Sequence, residues 1–401
     1  MHRLNIHDRR ERWLVRAADA LLLPLALARA ARVRTLPAAP TRVLCLRLER
    51  IGDLLMTLPA LAALRTAAPT ARIDLVVGTW NRDLAAWMDV DTVETLDAAW
   101  LARDGAGLSP LSVIKQASRW RSRRYDLALN FEPDIRTNLA LVASGARFTA
   151  GFASGGGGPL LDLAVEYDTR QHTSMNALAL VHAVFGSHAD ARADARAAAT
   201  LRLPDTRIDE ARRLLDGAGA RGPLVGMHVS SGRLVKQWPE ERFAAVARQV
   251  ARDHQATIVL TGAPGDRAQV DAVKATLDPG SVIDLVGADV LSAAAVLSRL
   301  DLLVTGDTGP MHLAHAVGTP VVAIFGPSDP VRYGPRGTRD QVVRVDLPCS
   351  PCNRIRVPPA RCAGHTPDCL ASIDTARVLA AVGQVLREIG RVPRHAADRP
   401  A

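Results

Sequence analysis

The 401-residue sequence predicts an α/β protein made of two doubly wound units. Three observations carry this. Apolar strand-like runs alternate with helix-like stretches, as in proteins with a mainly parallel sheet. The alternation runs twice, broken by a polar, Ala-rich stretch at 186–204, "GSHADARADARAAATLRLP". The length suits two domains of roughly 100–200 residues each.

In the first half the strands are expected at 42–48, 72–78 and 125–131. Helices are expected at 54–67, 82–89, 135–145 and 175–185, with one more ending in "KQASRWRSRR". "GGGGPL" (155–160) reads as a flexible loop. In the second half strands are expected at 223–229, 257–262, 282–287, 302–306 and 320–326. Helices lie at 206–217, 240–254, from Asp266, at 291–300 and at 374–390. The chain thus divides into a basic segment 1–40, a Rossmann-like domain 41–187, a linker region with a first helix 188–222, a second Rossmann-like domain 223–390, and a tail 391–401. Two such domains facing each other would make a cleft at the carboxyl ends of their strands, where open α/β sheets bind ligands.

Composition narrows the function. Hydrophobic residues make up 48% and charged residues 23%, so a real core is expected. Aromatics are 4%, too few for platforms that stack single-stranded nucleic acid. Residues 1–42 hold nine arginines against three acids and so supply most of the net charge of +9. The remainder is nearly balanced, which argues against a nucleic-acid partner. The apolar run "ALLLPLALA" (20–28) is well short of the ~20 residues of a membrane span. Asp19 and the charged lead weaken a signal-peptide reading. Two readings stand for this segment: an interfacial helix on an anionic membrane surface, with Trp13 at its edge, or a helix packed on the domain.

Four stretches carry chemistry. In "LRLERIGDLLMTLPAL" (46–61), Gly52 permits a tight strand-to-helix turn and Asp53 follows it. Asp53 either caps the helix or takes a proton from a substrate hydroxyl. In "GMHVSSGRLVKQWPEERF" (226–243), Ser230, Ser231 and Lys236 follow a strand. They suit a phosphate-binding loop, although the P-loop pattern is absent; the plainer reading is a polar loop. Lysine occurs only three times in this arginine-rich chain, which favours phosphate. In "LTGAPGDRAQV" (260–270), Asp266 either bonds ribose hydroxyls or caps a helix. In "GDTGPMHLAHAVGTPVVAIFGP" (306–327), Thr308 is placed to cap a helix starting near Gly309-Pro310. The free N–H groups and the helix dipole would attract a diphosphate. Asp307 repels phosphate, so it is expected to partner sugar hydroxyls or Lys236, with His312 one turn further.

"RIGDLLMTLPAL", "SSGRLVKQWPEERF" and "GDTGPMHLAHAVGTPVVAIFGPSDPVRYGP" together resemble glycosyltransferase family 9, the heptosyltransferases of lipopolysaccharide core assembly. The resemblance covers roughly residues 41–390 in order. It implies the GT-B fold, with acceptor bound mainly by the first domain and nucleotide-diphosphate-sugar by the second. It also implies an inverting, metal-independent transfer to a glycolipid acceptor, without cofactor, at the cytoplasmic face of the membrane. By resemblance Asp53 is the general base, while Ser230, Ser231 and Lys236 surround the donor diphosphate. Asp307, Thr308 and Gly309 form the donor motif, with His312 close by. The family commonly has Glu where Asp266 stands, on the nucleoside ribose. A non-catalytic nucleotide-sugar-binding or scaffold protein at the membrane is the alternative. A nicotinamide dehydrogenase is excluded, since no G-x-G-x-x-G follows the first strand.

Cys349, Cys352, Cys362 and Cys369 cluster within 21 residues, with His365 among them. The C-x₂-C half suits zinc, but C-x₆-C is looser than a usual ribbon. Reduced thiols in a surface loop are expected ahead of a structural metal site.

Overall fold

The computed structural model describes residues 4–6, 8–32, 34–102, 105–186 and 200–390. Residues 188–199 of the expected linker, and the tail, lie outside the described residues. The chain forms two compact units, Met1–Leu201 and Arg202–Ala401.

The first unit holds β1 (Arg42–Arg47), β2 (Arg72–Val77), β3 (Thr92–Thr95), β4 (Leu127–Asn130), β5 (Phe148–Phe152) and β6 (Leu163–Val165). They form one sheet in the order β3-β2-β1-β4-β5-β6. Every pairing is parallel. The second unit repeats the plan with β7 (Leu224–His228), β8 (Thr257–Gly262), β9 (Val282–Val286), β10 (Leu302–Gly306), β11 (Val321–Ile324) and β12 (Gln341–Val343). Their order is β12-β11-β10-β7-β8-β9, again all parallel.

Central strands of such sheets are covered on both faces and so read as continuous apolar runs. In β1 and β2 only the leading arginines, Arg42 and Arg72, are exposed, and β10 is buried throughout. In the second unit Trp238 packs edge-on against Phe243, centroids 4.9 Å apart, in a core with Ile258, Val304 and Val322. Strand order reverses between β1 and β4, and between β7 and β10. Ligands of open α/β sheets bind beyond the strand ends at these points.

The structure corrects several expectations. The strands β3, β5, β6 and β12 were not expected; three of them, β3, β6 and β12, have only three or four residues. The helix expected over 54–67 is two, Ile51–Leu55 and Leu58–Ala67. Pro59 explains the break, because its ring cannot sit against the carbonyl four residues earlier. The glycine run is no flexible loop. Gly155–Gly158 are buried, and Gly156 and Gly157 hold φ of +93° and +73°. A Cβ on Gly155 would run into the Pro133 carbonyl, and one on Gly156 into Val15.

The basic segment forms helices Arg9–Leu21 and Leu23–Ala30. One side packs on the first unit. Asp19 accepts from Gly157 N–H (2.7 Å), Arg29 donates to Leu160 O (2.9 Å) and pairs with Asp162 (3.2 Å), and Val15 and Ala26 are buried. The packed-helix reading therefore holds. The outer side nevertheless leaves Trp13, Leu14, Leu21, Leu23, Leu25 and Leu27 exposed.

Gly155→Ala is expected to destabilise the protein by about 1–3 kcal/mol or more, because backbone must move to admit the methyl group. Gly265→Ala, where nothing lies within 4 Å of the added Cβ, should change thermal unfolding little.

Candidate functional site

In the second unit the reacting-type residues stand past β7 and β10. Lys236 ends the short 3₁₀ turn Leu234–Lys236, and its Nζ lies 2.7 Å from Asp307 Oδ2. Of Asp307, 8% is exposed. Burial pushes its carboxyl up, but the Lys236 and His312 charges, with hydrogen bonds from Lys236 and Ser328, outweigh it and hold it below the usual range. The expected Lys236–Asp307 partnership is thus present, and His312 is buried beside it.

Thr308 occupies the N-cap position of the helix Gly309–Ala316 but does not cap it. Its hydroxyl instead shares a hydrogen bond with Thr305 (3.0 Å). The first-turn N–H groups are therefore not taken by that side chain, and a helix start of this kind favours anions. Ser230 is buried and within 3.2 Å of His228 Nε2, while His228 Nδ1 is 3.2 Å from Thr261. Burial pulls the His228 imidazole down to about 4, so it is neutral at pH 7. Ser231 accepts from Arg233 N–H at 3.4 Å. Asp266 Oδ2 accepts from Ala263 N–H at 2.7 Å, and its side chain does not cap the helix Arg267–Lys274 that follows it.

In the first unit Asp53 does not cap its helix. It answers to Arg47, the last residue of β1, which is almost wholly buried. The Arg47 guanidinium donates to Asp53 O (3.0 Å) and Phe131 O (2.5 Å). It lies 3.0 Å from a Glu49 carboxylate oxygen and 3.6 Å from Asp53 Oδ1. The Asp53 side chain is 28% exposed, so a substrate hydroxyl can reach it. Arg47, Glu49, Glu132, His228 and Ser328 complete these groups, and the motif reading did not name them. Burying a charged Arg at a strand end was the available signal for Arg47; the others carry none.

Cys349, Cys352, Cys362 and Cys369 line one cavity of about 190 Å³, with Arg354 and Arg361 in its wall. All four are free thiols. Burial and the neighbouring thiols push Cys369 up to about 11. Among the described residues no group of three or more His, Cys, Asp or Glu is placed to hold a metal ion. Both ring nitrogens of His365 face carbonyls, of Thr366 and Arg361.

Two parallel sheets of the same strand order, each with charged side chains at its reversal point, make the two-domain α/β arrangement of the GT-B fold. Residues 113–359 match the model of glycosyltransferase family 9 (heptosyltransferase). Lipopolysaccharide heptosyltransferase 1 of Pseudomonas aeruginosa is 24% identical over 326 residues, which is 78% of this chain and 86% of that protein. The crystal structure of a family 9 glycosyl transferase from Veillonella parvula superposes with a TM-score of 0.71 at 24% identity, covering 87% of this chain and 98% of the other. The E. coli ADP-heptose lipopolysaccharide heptosyltransferase II structure gives 0.67 at 20% identity, covering 87% and 99%. The chain belongs to glycosyltransferase family 9, and it is a glycosyltransferase.

Lys236→Met should cost about 3–5 kcal/mol of stability, because it leaves the buried Asp307 charge unpaired. Adding Asp307→Asn should restore much of the loss in chemical unfolding at neutral pH. The Asp307 contribution lies above the ordinary Asp range and fades as pH falls through its lowered value. The single variant should therefore be closest to wild type in acid.

Proposed function

We propose that the protein transfers a heptose, with inversion and without a metal, from ADP-heptose to a lipopolysaccharide core or related glycolipid at the cytoplasmic face of the membrane. The carrying observation is Lys236, paired with Asp307 at the uncapped start of the helix Gly309–Ala316. A cation beside a helix N-terminus suits a diphosphate, and the named relatives supply the sugar and acceptor class.

In this reading the Asp53 carboxylate takes the proton of an acceptor hydroxyl. The oxygen attacks the anomeric carbon from the face opposite the diphosphate. The bond from that carbon to the diphosphate oxygen breaks, and the nucleoside diphosphate leaves with the electron pair. Lys236 and the N–H groups at Thr308 and Gly309 stabilise the charge gathering there, usually the largest contribution to such a step. Asp307 keeps the ammonium in place. Ser230 and Ser231 face the phosphates, Asp266 the ribose, and His312 supports the donor side. Lysine and helix dipole stand where a metal ion would otherwise bridge the diphosphate.

Asp53→Asn should lower kcat about 10²–10⁴-fold, the usual worth of a general base, with donor affinity nearly unchanged. Turnover should persist in EDTA. A variant with near-normal kcat at neutral pH would remove Asp53 as base, and activity lost in chelator and restored by magnesium would overturn metal independence. The scaffold alternative predicts donor binding with no turnover by the wild-type chain.

The outward side of the N-terminal helices sets the docking surface. Leu21 is 82% exposed, Trp13 68% and Leu27 63%, with Arg9, Arg10 and Arg16 exposed nearby. No helix of the described residues is long and apolar enough to cross a membrane. An apolar face edged by arginine suits an anionic bilayer, where each basic residue adds roughly 1 kcal/mol. The wild-type chain should co-sediment with phosphatidylglycerol vesicles in a salt-sensitive way. Replacing Trp13, Leu21 and Leu27 together by Glu should abolish this while turnover of a soluble acceptor persists. Unchanged vesicle binding would clear these helices of the role.

A further inference from the structure

One deeply buried acid takes no part in the transfer as described: Glu132. It stands two residues beyond β4, at the strand-order reversal that also carries Asp53. Only 1% of it is exposed. Its Oε1 accepts the N–H of Leu48 and, at 3.0 Å, the N–H of Glu49. Those two residues lead out of β1 into the turn on which Asp53 sits. The Glu132 N–H is held by Asn130 Oδ1 (3.1 Å), and Asn130 Nδ2 donates to Thr137 and Asn138. The carboxyl is thus fixed from behind while it grips the Asp53 turn from its stem.

The charges around it decide its state. Glu49, Asp53 and Glu132 all lie in the field of the Arg47 guanidinium. Asp134 adds a further acid from the start of the helix Ile135–Ala143; its partner Arg136 is a second guanidinium whose field reaches Glu132. Glu132 shares Arg47 with Glu49 and Asp53, whose side chains are 30% and 28% exposed, so desolvation bears hardest on a charge at Glu132. The deepest carboxyl is where a proton relieves most. In agreement, burial and then the Glu49 carboxylate push Glu132 well above the ordinary range, against the opposing pull of Arg47.

We propose that Glu132 is a positioning residue for Asp53: as a neutral carboxyl it holds the Leu48–Glu49 backbone and leaves Arg47 to Glu49 and Asp53. The proposal rests on the reading of Asp53 as the base. An ionised Glu132 would compete for the same guanidinium and loosen the Asp53 contact. The arrangement also has a counterpart in the second unit. There the residue past the corresponding strand is Asp307, an acid that stays ionised because Lys236 reaches it directly.

The test uses the full-length protein with Glu132→Gln, which keeps the acceptor oxygen and cannot ionise, and Glu132→Ala, which removes the grip. Glu132→Gln is expected to keep kcat within about threefold of wild type, while Glu132→Ala loses about 10²-fold, the scale of a misplaced catalytic group. Donor KM should stay near the wild-type value in both. The second readout needs no activity. A carboxyl raised in the fold binds a proton that the unfolded chain releases, so it weakens the fold as pH rises above the unfolded value of about 4.3. The Tm of wild type should therefore fall relative to that of Glu132→Gln above this pH, and the gap should be constant below it.

Parallel Tm curves from about pH 4 to about pH 8 would show an ordinary ionised carboxylate and overturn the proposal. So would a Glu132→Gln kcat as low as that of a folded Glu132→Ala. Should Glu132→Ala fail to fold, Glu132→Gln alone decides. Asp53→Asn separates the two readings. If it turns over normally, the base assignment fails while the Tm comparison still decides the state of Glu132. If it is inactive and Glu132→Ala is fully active, only the positioning role fails.

Discussion

A parallel sheet covered on both faces has no room for an unmatched charge except at its ends, and this protein is organised by that constraint. The central strands carry apolar side chains to both sides. The polar groups a ligand needs must come from the residues just past the strands. Where strand order reverses, the loops on either side turn away from each other and leave room. Arg47 ends β1 and Glu132 stands past β4, while Lys236 and Asp307 stand past β7 and β10. Arg47, Glu132 and Asp307 are nearly or wholly buried and the Lys236 side chain is 20% exposed, so each finds its partner locally.

The two solutions differ in how the charge is matched. Lys236 and Asp307 are one cation and one carboxylate at 2.7 Å, and the pairing keeps the buried carboxylate ionised. Arg47 faces several acids and satisfies them unequally. A third buried acid shows what a purely structural answer looks like. Asp74, inside β2, receives Tyr125 OH at 2.6 Å and pairs with Arg123 (3.2 Å) and Arg72 (3.3 Å). Burial would raise it, yet these donors hold it below the usual range. With its charge more than matched, it has nothing left to offer a ligand. A matched acid and a competing acid are thus told apart by counting donors, rather than by burial.

The sequence was legible where periodicity and local motifs decide the outcome. The central strands, the two-unit plan, the turn at Gly52-Asp53 and the Lys236–Asp307 partnership could all be read from residues close in sequence or from rare ones. The edge strands β3, β6 and β12 are too short for a pattern to show, and the glycine run looked mobile because its partners are distant. Val15 is more than a hundred residues away, and Pro133 fills the space a Cβ would need. Thr308 had the right type and place for a cap, but Thr305 offered its hydroxyl a nearer partner. Glu132 was invisible because its meaning comes from pairing with β1, 84 residues earlier.

The same long-range contacts join the leader to the candidate base. Asp19 holds Gly157, and Gly156 O accepts from Asn138 Nδ2 at 2.8 Å. Asn138 Oδ1 accepts from Asn130 at 2.8 Å, and Asn130 holds Glu132, which grips the stem of the Asp53 turn. Each link is a short bond between buried or half-buried groups, and none can be dropped without leaving a polar group unsatisfied. The glycines are what make the first links possible, since only a bare backbone can approach so closely. A leader held by this network cannot slide over the unit it covers. Its exposed apolar side is therefore set at a fixed orientation to the turn that carries Asp53.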